Sequence, residues 1–334
     1  MYIERELENQ IFNLLEEDEV LSIIGPRQVG KTTLLQHALD KINREKKLKS
    51  SYITFEDRES LSLFQDEKGF KRYYEDNDLI IIDEFQYAED GGQKLKYLYD
   101  TTDIKFIISG SSSLDLVFQT GKYMVGRMIN LNLWPFSFRE FLKSKDKKLY
   151  SMLNELPEIP TEGLEDQINK KIKRHFEEYL IFGGYPRAVL TESEDKKKKI
   201  IKNIVDLYLT KEIESLLKLA TEDELMDLAS ALSSQIGGLM KYTNLSDIVG
   251  LNHLNILQKT YLADFIRPYF SNKQTELSKA QVPYFIDSGF RNYLIDDFRD
   301  LEKRDDRGQL VENFVFMSLK REEYNPIKYW RTKS

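Results

Sequence analysis

The 334-residue chain contains no cysteine, which excludes a disulfide scaffold, a cysteine nucleophile and any thiolate-based zinc or iron–sulfur site. A reducing cytoplasm is the expected location. Histidine is nearly as scarce. His37, His175 and His253 are far apart and none falls in an H-x-x-H or H-E-x-x-H pattern, so metal ligation by imidazole is not expected. No window approaches 18 continuous apolar residues, and the opening MYIERELENQ is charged where a signal peptide is basic and then apolar. Neither a membrane span nor export is expected. A positive balance is missing too: the formal net charge of -7 argues against a whole-molecule footprint for nucleic acid, leaving room only for a local basic patch. What remains is an ordinary globular composition, 41% hydrophobic and 31% charged, on a chain long enough for two or three domains.

Apolar positions Leu7, Ile11, Leu14 and Leu15 at helical spacing predict a short amphipathic helix within 6–18. Strands are predicted at Val20 to Ile24, Ser51 to Phe55, Leu79 to Ile82, Ile104 to Ser109 and Met128 to Leu133, with helices or loops between them. Short apolar runs interspersed with helical stretches are the pattern of a parallel sheet buried on both faces, so a three-layer α/β domain is expected to end near residue 140. From 140 to 235 the pattern is helical and rich in Lys and Glu, broken by the turn at Gly183-Gly184-Tyr185-Pro186. Short helices and apolar runs over 222–285 suggest a helix-turn-helix with a wing. Residues 308–334 read as a helix and then a strand.

Between the first strand and the following helix, Gly25-Pro26-Arg27-Gln28-Val29-Gly30-Lys31-Thr32 satisfies G-x-x-x-x-G-K-[ST] in full. Such a loop turns consecutive N–H groups toward phosphate oxygens, and the helix starting at Lys31 adds its positive dipole end. Lys31 is the candidate for the β- and γ-phosphates, Thr32 for Mg²⁺ and Thr33 for the α-phosphate. The apolar strand Leu79-Ile80-Ile81-Ile82 then ends in Asp83-Glu84. Taken with the loop, this is the Walker B form: Asp83 would hold the ion's shell through water, and Glu84 would polarise the attacking water as general base. That second acid favours hydrolysis over nucleotide storage. No N-K-x-D guanine signature follows the acid pair.

A fourth strand opens into Ser109-Gly110-Ser111-Ser112-Ser113 at the same sheet edge, where ligands of open α/β sheets bind. Ser109 or Ser111 is a candidate γ-phosphate sensor, with plain turn chemistry the alternative. Arg127 is a candidate arginine finger for a neighbouring subunit's nucleotide, or a surface arginine. The Gly-Gly-Tyr-Pro turn is placed where a lid would meet the nucleotide, with its backbone or Tyr185 a candidate adenine contact. The basic runs Lys170 to Arg174 and Lys196 to Lys199 read either as a nucleic-acid contact or as solvated helix faces diluted by nearby acids.

Together these residues resemble the AAA-type archaeal and bacterial ATPase family, AAA_14, whose members carry a DUF4143 C-terminal region. The resemblance is carried by GPRQVGKTTLL at 25–35, IIIDEFQ at 80–86, ISGSSS at 108–113, VGR at 125–127, WPFSFREF at 134–141 and FGGYPRAV at 182–189. YFIDSGFRNYLI at 284–295, GQLVENFVF at 308–316 and KYWRTKS at 328–334 extend it nearly to the end. It implies an AAA-like P-loop domain with the fourth strand inserted between those carrying the phosphate loop and the acid pair. It also implies a winged helix near 222–285, and it places Pro186 by the adenine, as in related signal-transduction ATPases. Residues 301–334 would resemble the opening of a restriction-endonuclease-like fold, with Glu312 matching its first acid. Because the sequence ends before the next Asp-bearing strand, that segment is expected to be partial and Glu312 alone to hold no ion.

The expectation is therefore an α/β P-loop domain over 1–140, a helical lid over 141–221, a winged-helix-like domain over 222–300 and a partial nuclease-like segment over 301–334. ATP and Mg²⁺ are the expected ligand and ion. Duplex DNA through the winged-helix region, a protein partner or self-association are the candidate interactions. The expected activity is ATP hydrolysis coupled to movement of the helical parts. The alternative is a nucleotide-gated DNA-binding or regulatory module with little turnover.

Overall fold

The computed structural model describes residues 2–110, 121–155, 165–216, 222–240, 251–324 and 326–330. Its contacts divide the chain into two units, Met1–Leu133 and Trp134–Ser334.

In the first unit, α1 (Leu7–Asn13) precedes β1 (Val20–Ile24), α2 (Lys31–Glu45), β2 (Ser50–Thr54), α3 (Arg58–Gln65), α4 (Glu67–Tyr73), β3 (Leu79–Asp83), α5 (Gly91–Thr101), β4 (Lys105–Gly110) and β5 (Met128–Asn132). The strands form one sheet in the order β2-β3-β4-β1-β5, every neighbouring pair parallel. β4 thus lies between the strand that ends in the acid pair and the strand that leads into the glycine loop. This is the α/β fold of P-loop nucleotide-binding proteins. The central strands β1 and β3 are buried at every position, which explains why they read as apolar runs and not as alternations. On one face Ile80, Ile82, Phe106 and Ile108 join Phe64 and Phe70 of α3 and α4 and Leu95 and Leu98 of α5 in a single cluster. Against the sheet packs α2, whose Leu34, Leu35, Ala38 and Ile42 are buried at helical spacing. α1 is shorter than the periodicity suggested, because Leu14 and Leu15 fall in a turn before the acidic run at 16–19.

The second unit contains helices at Phe138–Lys145, Lys147–Asn154, Asp166–Phe182, Glu194–Leu216, Glu222–Ser233, Leu251–Lys259, Ser288–Leu294 and Arg307–Arg321. The first of these is stopped upstream by a reciprocal cap in which Ser137 accepts from the Glu140 N–H and Glu140 accepts from the Ser137 N–H. A small sheet of order β7-β6-β8 joins β6 (Ala263–Pro268) and β7 (Val282–Phe285), which are antiparallel, with β8 (Lys328–Tyr329), parallel to β6. A helix at Lys273–Ser278 lies between β6 and β7, and residues 241–250, within the region expected to be a helix-turn-helix with a wing, lie outside those described.

Three segments named for their resemblance, at 134–141, 182–189 and 284–295, meet inside this second unit. The Asp287 carboxylate is buried, caps Ser288–Leu294 by accepting from the Phe290 N–H at 3.2 Å, and accepts from the Gly184 N–H at 2.7 Å. The Gly184 carbonyl in turn accepts from the Phe136 N–H at 2.7 Å. A Cβ on Gly184 would lie 2.3 Å from the Phe136 carbonyl oxygen and one on Gly183 2.0 Å from the Asp287 carboxylate, so only glycine fits either place. Asn292 donates to the carbonyls of Leu180 and Ile181 at 3.0 and 2.9 Å, satisfying the end of Asp166–Phe182 that helix geometry leaves open. Burial pushes the Asp287 carboxyl up to about 6 despite the N–H groups that oppose it.

Candidate functional site

All parallel strands of the first unit point their C-terminal ends to one edge, and the register sets Thr54 beside Asp83 and Ile24 beside Gly110. The loop from Gly25 to Gly30 leaves β1 there. It turns through Gln28 at φ 61° and Gly30 at φ 95°, the second of which directly precedes α2. A β-carbon at that φ is strained, which accounts for glycine before the lysine. The Lys31 ammonium is buried and donates to the carbonyls of Gly25 and Pro26 at 2.9 and 2.8 Å, within the loop itself. Arg27 is half-buried, while Gln28, Thr32 and Thr33 are exposed on the same edge.

Asp83 gathers the site. Its Oδ2 accepts from the Thr32 hydroxyl at 2.6 Å and from the Tyr52 hydroxyl at 2.7 Å; its Oδ1 accepts from the Ser109 hydroxyl and, at 3.1 Å, from the Glu84 N–H. The three hydroxyls come from α2, β2 and β4, so the carboxylate is oriented by both neighbouring strands and by the helix of the loop. Thr32 has committed its proton to Asp83 and therefore offers only lone pairs to anything that binds beside it. Burial and the bond to Asp83 raise the Tyr52 hydroxyl well above its ordinary range. Glu84 follows at φ 55°, half-buried, and its carboxylate accepts from the Gln86 side-chain amide.

The candidates Lys31, Thr32, Asp83, Glu84 and Ser109 are thus brought to one place. Ser111 lies outside the described residues. Arg127 is at the opposite edge: it immediately precedes β5, its carbonyl accepts from Val20 at the start of β1, and its guanidinium pairs with Asp100 at 3.3 Å. It is therefore apart from its own chain's loop. Pro186 is half-buried at the first position of a helical turn, Pro186–Val189. Tyr185 corrects the sequence reading of that motif. Its ring is buried and stacked on Phe290 at 4.3 Å between centroids, so it presents no face to an adenine. The basic run at 196–199 is also partly internal, since Lys197 is buried against Glu178 and over the Phe182 ring, and Lys198 lies over Phe298. Glu312 accepts from the Tyr284 hydroxyl at 2.6 Å. Among the described residues no three His, Cys, Asp or Glu side chains are grouped to hold a metal, and no helix is long and apolar enough to cross a membrane.

Tyr52 and Gln86 were not singled out from sequence. The one available signal for Tyr52 was a polar-tipped aromatic near the end of a strand beside the acid strand.

Residues 17–142 match the family model AAA_14, AAA domain. Residues 173–307 match a domain of unknown function, DUF8612, where the sequence resemblance had implied a DUF4143 region. Among curated proteins the chain is similar to an uncharacterised protein of Methanocaldococcus jannaschii, 26% identical over 91% of this chain and 67% of that one. An uncharacterised protein of Haemophilus influenzae is 22% identical over 95% of this chain and 78% of its own length. Of a second M. jannaschii relative, 26% identical, the chain spans 63%. Among solved structures it is similar to the Walker-type ATPase of Pyrococcus abyssi, at 16% identity and TM-score 0.49, over 88% of this chain and 96% of that one. AMPPCP-bound DnaA from Aquifex aeolicus is 15% identical at TM-score 0.37, over 97% of this chain and 96% of its own.

Proposed function

We propose that this chain binds ATP with Mg²⁺ at the loop Gly25 to Thr32 and hydrolyses it to ADP and phosphate. The observation that carries the reading is the convergence of the Thr32, Tyr52 and Ser109 hydroxyls on Asp83, beside the loop lysine and one residue before Glu84. The donor set fits a hard cation: one threonine hydroxyl with free lone pairs and one carboxylate behind it, no thiolate and no imidazole. When bound, such an ion neutralises charge on the phosphate oxygens. Lys31 exchanges its two loop carbonyls for phosphate oxygens, and the N–H groups of the loop and of the start of α2 turn toward the same charge. Glu84 takes the proton of the attacking water, while Gln86 engages one of its two carboxylate oxygens.

That bond also favours the second reading, a nucleotide-gated regulatory module with slow turnover, because a carboxylate oxygen engaged by an amide is not free to face an attacking water. In both readings the winged-helix-like region near 222–300 carries the contact to duplex DNA or to a protein, and Arg127 serves the nucleotide of a neighbouring copy. Phosphate release from ATP separates the readings. Lys31→Ala is expected to abolish nucleotide binding, while Glu84→Gln keeps binding and lowers turnover by about 10²- to 10⁴-fold, the usual worth of a general base. Equal turnover in Glu84→Gln and the parent chain would remove Glu84 from the mechanism. Absence of ATP binding by the parent chain would remove the proposal.

A further inference from the structure

The segment before β1 places a buried cation against the phosphate loop. Arg5 is 5% exposed, and its Nη1 donates to the Val29 carbonyl at 2.9 Å. Its own N–H donates to Glu8 Oε1 at 3.1 Å, and the Tyr2 hydroxyl donates to the same oxygen. Glu8 is fully buried, with Oε2 lying 3.3 Å from Nδ1 of His37 on α2. The His37 ring stacks on Tyr2 with centroids 3.8 Å apart. The stretch from Tyr2 to Glu8 is thus fastened both to the loop, at Val29, and to the helix that leaves it, at His37.

From this we infer that Arg5 is a positioning residue for phosphate binding. The reason is peptide geometry. The Val29 carbonyl and the Gly30 N–H belong to one planar trans unit and point in opposite directions. Holding the carbonyl toward Arg5 therefore holds the Gly30 N–H away from it, where a bound phosphate can accept from it. Gly30, free of a side chain and at φ 95°, gives this peptide little resistance to rotation without such a hold. A rotated peptide would turn a carbonyl oxygen toward the phosphates and subtract a donor.

The inference rests on the nucleotide reading above, and its test separates the two. Binding of the fluorescent nucleotide mant-ADP is titrated for the full chain, Arg5→Ala, Arg5→Met and Arg5→Lys. Circular dichroism and urea midpoints establish that each is folded. Loss of a bond from a charged donor corresponds to about 10- to 100-fold in affinity. Arg5→Ala and Arg5→Met are expected to weaken mant-ADP by about tenfold or more in the folded protein. KM for ATP should rise in parallel while kcat stays within about threefold, because the lost contact acts on bound phosphate before and during the reaction alike. Arg5→Lys, which restores a cationic donor, should recover most of the affinity. Parent-like mant-ADP binding in folded Arg5→Ala or Arg5→Met overturns the inference while leaving the nucleotide site standing. Failure of both to fold overturns it as well, by assigning Arg5 to the fold alone. No binding of mant-ADP by the parent chain overturns the nucleotide reading itself.

Discussion

Gly184→Ala tests whether the Gly-Gly-Tyr-Pro motif serves the second unit's packing or a nucleotide. An ideal Cβ there would stand 2.3 Å from the Phe136 carbonyl oxygen, over an ångström inside ordinary contact, and the neighbour is backbone that has no rotamer to change. Relief requires the 136 and 184 strands of chain to part, which lengthens both the Phe136 N–H bond to the Gly184 carbonyl and the Gly184 N–H bond to Asp287, each now 2.7 Å. A neutral bond contributes about 1 kcal/mol and one to a carboxylate about 2, so the substitution should cost about 3 kcal/mol. With a urea dependence of about 2 kcal/mol per molar, the midpoint should fall by about 1.5 M. Tryptophan fluorescence is the suitable probe, because both tryptophans of the chain, Trp134 and Trp330, belong to the second unit. A midpoint within about 0.3 M of the parent would refute the packing argument. Weaker nucleotide binding alongside such a midpoint would restore the motif to the nucleotide.

Tyr52→Phe removes one of three hydroxyl donors from Asp83 and should raise the Mg²⁺ concentration for half-maximal ATP hydrolysis by about fivefold, the worth of about 1 kcal/mol; an unchanged Mg²⁺ titration would contradict the role given to that bond. Asp287 has a folded-state pKa raised from 3.8 to about 6, so its contribution is fully present below pH 3.8 and lost as pH rises through 6. A shift of that size corresponds to about 3 kcal/mol. Asp297 and Asp306 are depressed by arginines, Asp297 to about 2, and act in the opposite sense, losing their contribution only as pH falls below the ordinary carboxylate value. The tryptophan-detected midpoint should therefore carry a downward term between pH 4 and 6.5 that Asp287→Asn lacks; equal slopes in both chains would refute it. Arg127→Ala breaks a pair with Asp100 in which both side chains are more than a third exposed, so stability should change by less than about 0.5 kcal/mol. If Arg127 acts on a neighbouring copy, turnover should nevertheless fall by about 10³-fold and lose its dependence on protein concentration. Parent-like turnover would leave it a surface arginine.

The glycine loop and the acid pair were legible because each is written within one short run of residues, a strand flanked by its punctuation. β1 was read at the bounds it has, and β3 extends one residue further, through Asp83, because pairing with Thr54 carries the ladder onto the acid. Tyr52 was not legible. Its contact with Asp83 depends on which residue of β2 faces which of β3, and register in a parallel pair joined by helices is written in no local pattern. The packing of Gly183 and Gly184 was hidden for a related reason. Their partners are Asp287, 103 residues beyond Gly184, and the backbone at Phe136, and a pair of glycines looks the same locally whether it makes room for a ligand or for another stretch of the same chain. Arg5 was not singled out either, since it precedes the predicted helix and its partner, the Val29 carbonyl, lies 24 residues on.

The Asp287 junction also orders events during synthesis. The five strands of the first unit are complete by Asn132, so its sheet can close while the rest is still being made. The second unit has no such freedom. The Gly184 N–H and the carbonyl end of Asp166–Phe182 wait for Asp287 and Asn292, and until those emerge Tyr185 lacks Phe290, the ring it stacks on. At about 5–20 residues per second, the roughly hundred residues between Gly184 and Asp287 leave those groups without their partners for about 5–20 s on the ribosome.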